Sequence, residues 1–312
     1  MSEQTIQPRQ TIYGRIRHTI IENPITLKEL RSRMRGRRAF VVLTVYLLIM
    51  SAGVILIYMA YAASSRSPFG PDPREAGKVL FTTVLGTQVF LVVFMGPSFT
   101  AGSISGEKER QTYDLLRTTL LSANQFVMGK LISALSYVLL LILAAIPLQS
   151  IAFLLGGVAF IELFMSQLLL LVGAVTFAMW GLYCSTIMRS TLSATVLTFA
   201  GALFVTFGTP LIVMLVLSLA GVFLFSVSTT WVYEMVLVYA GLLLASTNLP
   251  ATLIVSDIFL LQEDALFFYK ETFGPQTVYL FSPWMLYLVV YIFAAWLLYW
   301  LSVRRIRRIA DR

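Results

Sequence analysis

Residues 106–130 read GEKERQTYDLLRTTLLSANQFVMGK, seven charged side chains in 25 positions. The flanks are the opposite: neither 79–102 before it nor 131–156 after it holds a single charge. Each apolar run is long enough to cross a hydrocarbon core of about 30 Å as a helix. A charged segment between two such runs reads as a surface connection between membrane spans, and the rest of the chain repeats that alternation.

Composition points the same way. Of 312 residues, 58% are hydrophobic and 12% charged, with a mean hydropathy of +0.83, whereas a soluble domain carries roughly 25% charged residues. No polar segment is long enough to bury a core of its own, so the expected fold class is an all-α polytopic membrane protein. The long polar stretch over 1–38 and the length of the run after it argue against a cleavable signal peptide. One cysteine, Cys184, cannot form an intramolecular disulfide, and one histidine, His18, cannot build a metal cluster.

The net charge of +8 is unevenly placed. Of 23 Lys and Arg, nine precede residue 39, four lie in 106–130, one is Arg189 and five follow residue 303. These segments alternate to one side of the membrane, which by the positive-inside rule is the cytoplasmic side. Both termini are then expected in the cytoplasm, the span count is even, and no nucleic acid is needed to explain the charge.

The expected organisation is a cytoplasmic tail and interface helix over 1–38, a transmembrane domain over 39–303 and a basic tail over 304–312. Residues 1–11 read as disordered. Beyond them Ile12, Ile16, Ile20, Leu27, Leu30 and Met34 form an apolar stripe opposite Arg15, Arg17, Lys28, Arg31 and Arg35, a pattern suited to lying among lipid headgroups. Spans are expected at 39–62, 79–102 (kinked at Pro97), 131–156 (bent at Pro147), 160–188 and 283–303. Residues 63–78 read as an external loop, Gly156-Gly157 as a tight external turn and Arg189-Ser190 as a tight internal one. Residues 192–226 would make one helix of about 52 Å, too long without a break, and Gly208-Thr209-Pro210 is the expected breakpoint. An external segment is expected at about 247–282. Six core spans result if 210–250 stays at the outer leaflet, eight if it forms a further hairpin.

Catalytic motifs are missing. Gly77-Lys78-Val79 and Gly129-Lys130-Leu131 lack both the hydroxyl residue and the upstream glycine of a phosphate-binding loop, and H-E-x-x-H and C-x-x-C do not occur. Ionisable residues inside spans, the usual marks of ion pathways, are nearly missing too. Glu162 is expected at the external end of its span within reach of solvent, and Glu234 at an interface. This scarcity weighs against an ion-coupled carrier, so any driving force is expected from a partner. The charged cluster Glu107, Lys108, Glu109 and Arg110, followed by Tyr113, Leu116 and Leu120 at helical spacing with Asp114 and Arg117 able to pair, suits docking into a cleft of a soluble protein. A solvated loop between spans is the simpler alternative.

Two sets of residues resemble a known family. Asn23-Pro24, Lys28-Glu29-Leu30-Arg31, Arg35 and Arg37-Arg38 form one. Thr100-Ala101-Gly102-Ser103-Ile104-Ser105-Gly106-Glu107-Lys108-Glu109-Arg110, Thr112-Tyr113-Asp114-Leu115-Leu116, Leu121-Ser122 and Gly129-Lys130-Leu131 form the other. In order and spacing they resemble bacterial ABC transporter permeases of the type-2 exporter class, over most of residues 23–200. The resemblance implies an interface helix over 12–35 carrying Lys28, Glu29, Arg31 and Arg35. It also implies a coupling segment within 103–130 whose contacts to the ATPase are Glu107, Glu109, Arg110, Tyr113, Asp114, Leu116 and Leu120. The implied partners are two copies of a P-loop ATPase subunit, which holds the ATP and Mg, a second permease copy or paralogue, and membrane lipids. This chain would then carry no cofactor, metal or catalytic residue, and would sit in a bacterial inner membrane. The family often has a proline ahead of the Leu-Ser; Arg117-Thr118-Thr119-Leu120 has none. The nearly uncharged spans favour a lipid-like, amphipathic or drug-like export substrate. An ATP-independent carrier or channel, and a scaffold that anchors an ATPase complex, are the alternatives.

Overall fold

The computed structural model describes residues 37–64, 72–112, 122–224, 231–263, 266–273 and 275–310. The expected disordered segment 1–11, the interface helix over 12–35 and residues 113–121 of the coupling segment lie outside these. The helices are α1 (Arg37–Ser64), α2 (Pro73–Ala101), α3 (Ser105–Glu109), α4 (Ala123–Ala144), α5 (Ile146–Leu154), α6 (Phe160–Ile187), α7 (Thr191–Leu203), α8 (Thr209–Leu224), α9 (Trp231–Ala245), α10 (Leu249–Glu263) and α11 (Pro283–Ala310). Among the described residues six segments are long and apolar enough to cross a membrane: Phe40–Ser64, Pro73–Glu109, Ala123–Leu154, Phe160–Ile187, Thr191–Val216 and Pro283–Arg307. The chain is an α-helical multi-pass membrane protein. At 15 residues each, α9 and α10 reach about 22 Å, short of a full crossing.

Central to the bundle are α2 and α6, which pack along each other; α11 packs on α6, α10 touches α2, α6 and α11, and α1 packs on α2. Close approach of α2 and α6 depends on Gly181, where a Cβ would collide with Thr100 and lie 3.1 Å from the Pro97 carbonyl. Small residues serve this purpose in membranes, where packing rather than water exclusion joins helices. Among its described side chains, α1 buries the i, i+4, i+8 stripe Tyr46, Met50 and Val54, and exposes Phe40, Leu48, Ile49, Leu56 and Met59. Such a surface is stable against lipid or against another apolar face within the membrane.

The breaks have local causes. Asp72 caps α2, its Oδ1 accepting from Arg74 N at 3.1 Å, so the helix begins at Pro73 inside the segment read as loop. α2 remains helical through Pro97 to Ala101. Pro147 falls at the start of α5, after a break at Ala145. Gly156 has φ +74, and a Cβ on Gly157 would enter the backbone of Arg74 and Lys78, so this turn admits nothing larger. At the expected breakpoint the chain does not leave the helix; it makes a π-helical turn over Phe204–Gly208 and continues as α8. Asn248 compensates the disturbed ladder, donating Nδ2 to the carbonyls of Val205 and Thr206 at 2.8 Å each, while its Oδ1 caps α10 through Ala251 N.

Within 247–282, α10 packs on α6 and α11 and contributes Leu249 and Leu253 to the main core. The otherwise α-helical chain also holds β1 (Phe268–Phe273) and β2 (Gln276–Phe281), an antiparallel hairpin with Phe273 opposite Gln276. Alternating aromatic and β-branched residues around Gly274-Pro275 carry that signal in the sequence. The basic run Arg304–Arg308 continues α11, with Val303 and Ile306 packed into a second core beside Ile104, Val127 and Leu182.

Candidate functional site at the basic end

The short helix α3 sits at the end of the bundle that carries Arg189 and the basic turn of α11. Three successive side chains fasten it to three different helices. Glu107 Oε1 accepts from Lys130 Nζ of α4 at 2.6 Å, with Lys130 only 4% exposed. Lys108 Nζ donates to the carbonyls of Ser185, Thr186 and Met188 at 3.4, 2.7 and 3.2 Å, where α6 ends. Glu109 accepts from the backbone N and the hydroxyl of Thr191, both at 2.8 Å, where α7 begins.

The charges match the helix termini they meet. The last carbonyls of α6 attract a cation, and the first N–H groups of α7 attract an anion. Neither helix supplies that charge itself, since the last turn of α6 holds no basic residue and the first turn of α7 no acidic one. Lys108 and Glu109 therefore fix both sides of the tight turn at Arg189-Ser190. Ser185 Oγ completes the joint by accepting from Ile104 N and Ser105 N at 2.9 Å each.

The far side of α3 ends in a Schellman motif. Gln111 N donates to Lys108 O and Thr112 N to Glu107 O, with Gln111 in the left-handed region at φ 56. Arg110 and Gln111 are exposed. Where the description resumes, a capping box between Ser122 and Gln125 starts α4.

Of the residues expected to contact a partner, Glu107 and Glu109 are engaged inside the chain, and Arg110 is exposed. Tyr113, Asp114, Leu116, Leu120, Lys28, Glu29, Arg31 and Arg35 lie outside the described residues. Sequence reasoning missed Lys130, Ser185 and Thr191 as the receiving partners. The only hint was that Lys130, like Glu107, stood at the edge of an apolar run.

Elsewhere, Glu162 is corrected from solvent-accessible to buried, 7% exposed and paired with Lys78 at 2.9 Å. Glu234 is exposed on α9, and Cys184 is packed in the interior. A search for charges also passed over three glutamines that meet inside the bundle. Gln149 and Gln167 donate to Gln88 Oε1 at 2.8 and 3.2 Å, and Gln167 donates to Gln149 Oε1 at 2.8 Å. Gln88 in turn donates to Ile142 O at 3.2 Å, a carbonyl at the α4–α5 break that also accepts from Ala145 N at 3.3 Å. No protein-family model matches the chain, and no curated protein matches it.

Proposed function

We propose that this chain is the membrane-spanning permease subunit of an ATP-driven ABC transporter of the type-2 exporter class, energised by a separate ATPase subunit. What supports the reading is the clamp around α3. A force applied at the exposed residues Arg110, Gln111 and Thr112 is carried through Glu107, Lys108 and Glu109 to α4, α6 and α7 together, and α6 packs on α2, α10 and α11. A solvated loop needs no such anchorage. In this reading ATP binding closes the partner dimer, residues 107–121 transmit the movement, and the permease cavity changes the side it faces.

The active assembly would hold two ATPase copies and two permeases, with the basic end and both termini in the cytoplasm of a bacterial cell. A lipid-like, amphipathic or drug-like cargo is supported by the uncharged lengths of α2 and α6. Neither carries Asp, Glu, Lys or Arg between the Lys78–Glu162 level and the clamp. A cleft of about 530 Å³ between α8 and α9, lined by Pro210, Val213, Met214, Leu244 and Ala251, falls in the size range of small-molecule sites, about 300–1,000 Å³.

The test is capture. Leu116→Asp with Leu120→Asp should abolish co-purification of a P-loop ATPase while the permease still inserts and elutes as a single species. A complex that survives this change removes the docking assignment. Solute movement by the purified chain without nucleotide would favour a self-standing carrier.

A further inference from the structure

At the end opposite the clamp, Lys78 of α2 contacts two carboxylates, Glu162 of α6 at 2.9 Å and Asp257 of α10 at 2.5 Å. Lys78 thus serves two carboxylates, and among the described residues no second cation pairs with them. Glu162 is 7% and Asp257 27% exposed, so the shared carboxylate oxygens are only partly open to water, a setting in which a further cation is favourable. The cluster walls one side of a cleft of about 150 Å³ between α2, α6 and α10, whose other lining includes Phe81, Leu85, Met165, Leu169 and Leu253.

A second observation concerns Ser256, which lines the same cleft. It is 4% exposed, and its hydroxyl has no hydrogen-bond partner among the described residues. Several other helical serines turn the hydroxyl back onto the carbonyl four residues earlier, Ser136 onto Ile132, Ser150 onto Ile146, Ser246 onto Leu242 and Ser302 onto Leu298, whereas Ser133 shares the unpartnered state but does not line this cleft. Ser256 makes no such bond to Thr252. Buried polar atoms are ordinarily satisfied, and the Ser256 oxygen has acceptor capacity for a donor that enters the cleft.

We infer that the cleft binds the ammonium group of an amphipathic amine. Glu162, Asp257 and Ser256 supply three acceptors for the three N–H groups of a primary ammonium, and the apolar walls take the adjoining carbons. A cavity of about 150 Å³ lined by apolar side chains accommodates a body the size of benzene, so a longer tail must leave it. Ile254 and Ile258, 59% and 44% exposed on α10, border the exit toward lipid. A bare divalent cation fits poorly, since such ions take six or more oxygen ligands and the cleft is mainly apolar. A lipid headgroup and a free amphiphile share this chemistry. The inference adds a substrate class to the export reading and rests on that reading only in calling the ligand a substrate.

Dodecylamine titrated onto the full chain in maltoside micelles, followed by native mass spectrometry, tests it. One molecule should bind per chain, while dodecanol, with the same tail and no charge, should not. Asp257→Asn should weaken binding about tenfold or more and Ser256→Ala about threefold, as expected for a charged and a neutral hydrogen bond. Ser256→Leu leaves the ion pairs in place and fills the cleft, so it should lose binding while eluting as the parent does. Equal binding of dodecanol, or parent-like binding by a well-folded Ser256→Leu chain, overturns the assignment. Competition by phosphatidylethanolamine assigns the ligand to the bilayer, and its failure assigns a free amphiphile; both results support the site. The Leu116→Asp/Leu120→Asp chain should bind dodecylamine as the parent does, so loss of ATPase capture and loss of amine binding are separate results.

Discussion

Lys130 meets Glu107 at 2.6 Å between α4 and α3, and Glu107 Oε2 is a buried oxygen with no hydrogen-bond partner among the described residues. The carboxylate therefore depends on one cation. Lys130→Met should destabilise the chain by about 1–3 kcal/mol, the cost of an orphaned polar group. The full loss of about 3–5 kcal/mol for a broken buried pair is not expected, because the Glu107 side chain is 23% exposed. Glu107→Met with Lys130→Met should recover part of the loss, since the Glu107 carboxylate is no longer left without its cation. Reversible SDS titration in mixed micelles measures both, and a double variant no better than the single one would contradict the pairing. The charges of this clamp were plain in GEKER; their partners, 23 to 82 residues away, were not, because nothing in residue spacing says which helix end a lysine will meet.

Among the elements, the break between α4 and α5 shows how one irregularity recruits others. The Ile142 carbonyl there keeps a 3.3 Å bond from Ala145 N, Gln88 adds a second donor, and Gln149 and Gln167 join through their own amides. Gln88→Met alone should cost about 1–3 kcal/mol by leaving these groups unmatched. Replacing Gln88, Gln149 and Gln167 together by Met should lie closer to the parent than the single change, because an apolar node has fewer orphan groups to satisfy. SDS titration again reads the order; a triple variant much weaker than the single one would show that the amides act independently. The π-helical turn and Asn248 follow the same logic. Gly208-Thr209-Pro210 announced an irregularity, but whether the chain would leave the helix or widen it depended on Asn248, some 40 residues on. The β hairpin had its alternation in the sequence and was obscured by the strongly helical chain around it.

For the whole molecule, sidedness is the quantity that the proposed function requires. Arg110 and Asp72 are exposed at opposite ends of the helical run Pro73–Glu109. In a Cys184→Ala background, Asp72→Cys should react with a membrane-impermeant maleimide in intact cells. Arg110→Cys should react only after permeabilisation. The reverse pattern would place the α3 clamp outside, away from ATP, and the export proposal would fail. Equal labelling of both from outside would contradict the span itself.

The sequence by itself determined the membrane class, the approximate place of most spans and the polar identity of the 106–130 segment. Apolar length and charge asymmetry are local properties, imposed by the bilayer wherever the chain folds. The tertiary structure decided what those polar residues hold. Glu107, Lys108 and Glu109 became ties between α3, α4, α6 and α7, and Glu162 became a buried member of a cluster with Lys78 and Asp257. Removing a polar group from water makes its partner obligatory, and partners brought from distant helices exist only once the bundle has packed.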